Sequence, residues 1–154
     1  MMRGVAFGLM LLLAGCGGGG ARPATAPLAA DDGIPLNTLP RQNLAAGQCG
    51  LFLWKAGNEA RLVLMAQVQP AMARIALDGR LVDLPRINAQ AGDTGGLFAD
   101  AIYSDGGTTV ALNIRLEQRS GLEGGAVVTD GTLRLDRANG DGFVMPVAGL
   151  LACR

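Results

Sequence analysis

Residues 108–117, Thr-Thr-Val-Ala-Leu-Asn-Ile-Arg-Leu-Glu, set Val110, Leu112, Ile114 and Leu116 on one side of an extended chain. Thr109, Ala111, Asn113, Arg115 and Glu117 fall on the other. A period of two over this length predicts a strand with one buried and one wet face. Working outward, similar runs occur at Leu51 to Lys55, Arg61 to Val68, Leu97 to Tyr103 and Phe143 to Leu151. Turn signals separate them at Gly57-Asn58, Asp105-Gly106-Gly107 and Asn139-Gly140-Asp141-Gly142. No helical spacing intervenes, so the reading is all-β: an antiparallel barrel or sandwich of about eight strands. The barrel is preferred, because a bond between the terminal strands would complement closure.

Two hairpins can be registered from residue types. An Asp78-Gly79 turn of type I′ places Ile75 opposite Val82, Ala73 opposite Leu84 and, on the reverse face, Arg74 opposite Asp83. That pairing sorts apolar with apolar and cation with anion. By the same logic Asp130-Gly131 predicts a second hairpin, with Val128 facing Leu133, Ala126 facing Leu135 and Thr129 facing Thr132.

The chain has 154 residues, 13 Lys and Arg against 13 Asp and Glu, and no His. That length supports one compact domain. Balanced charge without a basic cluster argues against nucleic-acid binding, which needs several phosphates neutralised. The lack of His removes the side chain best suited to proton transfer near neutral pH and the commonest metal ligand.

At the amino terminus Arg3 precedes an apolar run from Val5 to Leu13. Such a run is about half a bilayer span, which fits a signal peptide over residues 1–15 better than a membrane-crossing helix. It ends in Leu13-Ala14-Gly15-Cys16, which resembles the lipobox of bacterial lipoproteins. The resemblance implies diacylglycerol on the Cys16 sulfur, cleavage before Cys16 and acylation of the new amino group by a chain such as palmitate. Gly17 stands where an Asp would resemble an inner-membrane retention signal, so the expected destination is the outer membrane, facing the periplasm. Residues 16–45, rich in Gly, Ala and Pro, read as a flexible tether with a reach of about 30 Å. Where the fold begins, 41–48 suits a turn or two of helix. The β domain is expected over 46–154.

With Cys16 lipidated, Cys49 and Cys153 remain, and an even remainder in an exported chain predicts a disulfide between them. The alternatives are two free buried thiols and a metal pair, and two lone ligands without His make a poor metal site.

Other constellations read as structure. Ser120-Gly-Leu-Glu-Gly-Gly125 leads into strand residues and does not open a helix, so it suits a bend better than a phosphate cradle. Asp136, Asn139 and Asp141 lack the ligand spacing of a calcium loop. Ser104 and Ser120 have no His to activate them, and Lys55 is not spaced to serve either. No catalytic residue, metal or cofactor is expected. Phe52, Trp54, Phe98 and Tyr103 suit core packing or a small cluster for a partner, with Phe52, Trp54 and Lys55 as the candidate partner surface.

The layout from about Cys49 to Cys153 is similar to that of the membrane-bound inhibitors of c-type lysozyme. The local matches are Leu77-Asp78-Gly79-Arg80 through Leu84, and Gly96 to Tyr103. In that family a Ser-x-Ser-Gly-x-x-Tyr loop and a Lys-Gly motif enter the lysozyme cleft. Here the first corresponds to Ala89-Gln90-Ala91-Gly92-Asp93-Thr94-Gly95, with alanines in place of the hydroxyls and Gly95 in place of the tyrosine. Trp54-Lys55-Ala56-Gly57 resembles the second but precedes the hairpin.

Together these readings predict a lipid-anchored envelope lipoprotein whose non-catalytic β domain binds or scaffolds an envelope partner. The alternative is a periplasmic inhibitor of c-type lysozyme, and a third reading is a small-ligand carrier.

Overall fold

A computed structural model describes residues 33–88 and 98–154. Among them are nine strands and no helix. They are β1 (Leu36–Asn37), β2 (Cys49–Lys55), β3 (Leu62–Gln67), β4 (Met72–Leu77), β5 (Arg80–Pro85), β6 (Ile102–Ser104), β7 (Thr108–Glu117), β8 (Ala126–Arg137) and β9 (Gly142–Cys153). Every pairing is antiparallel.

The sheet is a meander that turns back on itself. From β2 to β5 and from β6 to β9 each strand pairs with the next, and β9 then pairs with β2 along its length. The remaining seam, between β5 and β6, is spanned by a bridge between Arg86 and Tyr103 and by the Ile87 amide donating to the Ile102 carbonyl at 2.9 Å. The curled, barrel-like sheet encloses one core that includes Leu51, Leu53, Leu64, Ile75, Leu84, Val110, Leu133 and Leu135. A sheet curled this tightly leaves an interior that its own side chains fill.

The Asp78-Gly79 hairpin forms in the expected register: Ile75 opposes Val82, Ala73 opposes Leu84 and Arg74 opposes Asp83. Both turn residues have positive φ, 49° and 75°, as a type I′ turn demands. Arg74 donates to both Asp83 oxygens at 2.6 and 2.7 Å. That pairing holds the Asp83 carboxyl below its usual range, against a smaller opposing effect of burial.

The second hairpin does not form. Asp130 and Gly131 lie inside β8, which runs unbroken from Ala126 to Arg137 and pairs with β7 on one side and β9 on the other. Arg115 opposes Asp130 while Leu116 opposes Val128, leaving Thr129 as the extra residue of a β-bulge. The extra residue changes the parity, so Val128 and Gly131 both face inward. A Cβ on Gly131 would stand 2.7 Å from Ile114 Cγ2 and 3.3 Å from Val147 Cγ2. Glycine is here because the interior is full, and pairing on both edges overrides the local turn tendency.

Two other expectations change. The strand expected over Leu97 to Tyr103 is Ile102–Ser104, preceded by a turn at Phe98 to Asp100, while Leu97 lies outside the described residues. Asn88 explains the shortening: its side chain accepts from the Ile102 amide at 2.8 Å and donates to the Asp100 carbonyl at 2.6 Å, occupying groups a longer strand would use. At 41–48 there is no helix, only a turn at Ala46-Gly47.

The folded unit also begins earlier than composition suggests. Leu36, Leu39 and Leu44, within the stretch read as tether, are buried. Leu39 and Leu44 form a small cluster with Met65 and Ala76 on the outside of the sheet, against Phe52 and Leu62. Leu36 joins the interior core from β1, which pairs with β4, and residues 39–44 then form a strap across the outer face of β3 and β4. Asn37 Oδ1 accepts from the Gly79 amide at 2.7 Å, tying β1 to the first hairpin.

Candidate functional site

β9 alternates like the other strands, yet its two faces do not differ in chemistry. Met145, Val147 and Leu151 face the core; Val144, Pro146, Ala148, Leu150 and Ala152 face outward. All five outward positions are apolar. A strand in a half-wet antiparallel sheet normally alternates apolar with polar, and one apolar on both faces is normally covered on both. Val144 is 61% exposed and Leu150 37%.

The neighbouring strands widen this stripe. Leu150 opposes Phe52 on β2 and Val127 on β8, and Ala148 opposes Trp54. The Phe52 and Trp54 rings lie 6.3 Å apart, tilted by 33°. Phe52 also packs on the strap's cluster, so the stripe continues the surface that the strap covers over β3 and β4. A hollow of about 370 Å³ between Trp54, Ala60, Ala148 and Leu150 gives the face relief. Polar groups border it on β7 and β8: Thr129 donates to Glu117 at 2.9 Å, and Arg134 pairs with Asp136 at 2.7 Å.

The aromatic residues therefore divide. Phe52 and Trp54 stand on the outer face, Lys55 ends β2 opposite Val147, and Phe98 and Tyr103 are core residues, 3% and 0% exposed. Burial pushes the Tyr103 hydroxyl up to about 12, partly countered by Arg86, and its oxygen has no hydrogen-bond partner.

Cys49 and Cys153 are joined, with the sulfurs 1.96 Å apart. Leu13, Ala14, Gly15 and Cys16 lie outside the described residues, as does the 89–95 stretch compared with the lysozyme-inhibitor loop. Asp105 accepts from the amides of Thr108 at 2.7 Å and Gly107 at 2.9 Å, which hold its carboxyl below the ordinary range. Ser104 bonds Thr109 Oγ1 at 2.9 Å, and Asn139 donates to Asp141 at 2.7 Å. These are turn contacts. Among the described residues no three Cys, Asp or Glu side chains converge on a point that could hold a metal ion.

The chain finds no match among models of known families, curated proteins or solved structures. The outward apolar positions of β9 were not singled out from sequence, although a signal was there. Residues 142–153, Gly-Phe-Val-Met-Pro-Val-Ala-Gly-Leu-Leu-Ala-Cys, contain no charged side chain.

Proposed function

We propose that the chain is a lipid-anchored lipoprotein of the bacterial cell envelope, held in the outer membrane through Cys16 and facing the periplasm. Its non-catalytic β domain docks an envelope partner on the outer face of β2 and β9. The observation that carries the docking is the apolar outward row of β9, continued by Phe52 and Trp54. Contiguous exposed apolar surface rimmed by polar residues marks interaction sites on soluble domains. Tryptophan is among the residues that most often carry the binding energy of protein interfaces, which makes Trp54 the anchor of this face. The lipobox-like Leu13-Ala14-Gly15-Cys16 supports the anchor.

Photo-crosslinking in intact cells tests the face. A photoreactive residue at position 150 or 54 is expected to give one discrete adduct with an envelope protein, whereas one at Asn113, exposed on the outer face of β7, gives none. Equal labelling from position 113, or none from 150 and 54, would count against the face. For the anchor, Cys16→Ser is expected to abolish palmitate labelling, and normal labelling of that variant would remove it.

A further inference from the structure

The barrel-like sheet has a hollow at each end. Where β8 turns into β9 it is about 330 Å³, with Ile34, Pro35, Leu135, Arg137, Asp141 and Phe143 in its lining. Arg137 and Asp78 form an ion pair there at 2.9 Å. At the other end, where β2 starts and β9 stops, a hollow of about 450 Å³ opens to solvent. Val68, Phe98, Leu116 and Leu151 line it, with the Cys49–Cys153 bridge in its wall.

The hollow has a physical cause. On β3 and β4 the inward positions next below it are Ala66 and Ala73, which oppose each other and are fully buried. Two alanines side by side leave unfilled the width that leucines occupy elsewhere in the ring. Val68, Leu116 and Leu151 pack on the core but stay only partly buried, so apolar surface remains to be covered. Leu51, which opposes Ala66 and Leu151, Leu84, which opposes Ala73, and Val128, which opposes Leu116, are buried and fill the interior beside it.

We infer that this mouth binds the end of a hydrocarbon chain belonging to a neutral amphiphile. Its volume falls within the range of small-molecule sites, about 300–1,000 Å³, and barrel mouths are a recurrent place for them. None of its described lining residues is charged. Its polar members are the carboxamides of Gln48 and Gln69, and Gln48 Nε2 already donates to the Gln69 carbonyl at 2.9 Å. Arg154, next to Cys153, is not among the lining residues and donates from Nη1 to the Leu44 carbonyl at 3.0 Å. The site thus offers apolar contact and neutral hydrogen bonding, which suits an uncharged ester or alcohol headgroup at the rim. This site is separate from the docking face proposed above.

The test uses the full chain carrying Cys16→Ser, so that no acyl group of its own competes, with the Cys49–Cys153 bridge verified by mass. The probe is the neutral fluorophore N-phenyl-naphthylamine. Saturable binding of one probe per chain is expected. Leu116→Trp, and separately Val68→Phe, should weaken it about tenfold by filling the mouth, with Leu150→Asp on the outer face leaving it unchanged. A monoacylglycerol should displace the probe about tenfold better than the fatty-acid anion of the same length. Lack of saturable binding, or binding lost in Leu150→Asp and kept in both mouth variants, would overturn the site. Equal displacement by the anion would overturn the neutral class.

Discussion

Cys49 and Cys153 stand directly opposite each other in the β2–β9 ladder, with Cα atoms 4.0 Å apart. The Arg154 amide donates to the Gln48 carbonyl at 2.9 Å and the Gly47 amide to the Arg154 carbonyl, which makes the cysteine pair a non-hydrogen-bonded one. Such positions bring side chains closest together across an antiparallel ladder. The bridge joins residues 104 apart and reinforces the seam between the ring's first and last strands. In the chain-entropy account a loop of that size is worth up to about 4.7 kcal/mol. A Cys49→Ala, Cys153→Ala double variant is expected to lose about 2–4 kcal/mol in urea unfolding while keeping its β circular dichroism.

Gly131→Ala should be costly although Asp130-Gly131 reads as a turn. The added methyl would meet Ile114 Cγ2 at 2.7 Å inside the barrel. Overpacking of this kind costs about 1–3 kcal/mol. Gly79→Ala is also expected to destabilise, but through its φ of 75° and not through crowding, since no atom stands within 4 Å of the added carbon. Chemical denaturation of both, alone and with Ile114→Ala, separates the causes in a double-mutant cycle: removing Cγ2 should reduce the cost of Gly131→Ala and leave that of Gly79→Ala unchanged.

Tyr103 predicts an alkaline limb in the stability curve. Desolvation raises its folded-state value to about 12 from an ordinary 10.0. The stability tied to the neutral phenol is fully present below pH 10 and is lost as pH rises towards 12, because the unfolded chain ionises first. The loss is about 2–3 kcal/mol. Tyr103→Phe should flatten that limb. At neutral pH the same change should be neutral or stabilising, since the buried hydroxyl has no partner to lose. Urea midpoints at pH 7 and between pH 10 and 12 check both statements.

Polar substitutions on the outer face should separate binding from folding. Val144→Thr with Leu150→Thr places polar groups at positions 61% and 37% exposed, so stability should change by no more than about 0.5 kcal/mol. Crosslinking from position 54 should fall sharply in the same double variant. A large stability loss instead would assign these side chains to the fold.

A turbidity assay addresses the lysozyme-inhibitor alternative. Alanines replace the hydroxyls and Gly95 the tyrosine that the family motif uses, so a micromolar excess of the domain is expected to leave c-type lysozyme activity unchanged. Stoichiometric inhibition would reverse that reading.

Much of the architecture is visible in residue order alone. Alternation in 108–117 specifies β7 because side-chain direction in an extended chain has a period of two. Asp78-Gly79 specifies its hairpin because both positions tolerate positive φ and the flanking pairs match. The pairing of Cys49 with Cys153 follows from parity once Cys16 is set aside. Other features were decided only in three dimensions. Asp130-Gly131 carries the same turn signal, yet β8 gains a partner on each edge by running straight, and those ladders outweigh one tight turn. Leu39 and Leu44 are too sparse to show a period, and are buried only because the outer faces of β3 and β4 need cover. The outer face of β9 is the clearest case: composition shows an apolar strand, but whether its second side is buried or open depends on which strands fold beside it.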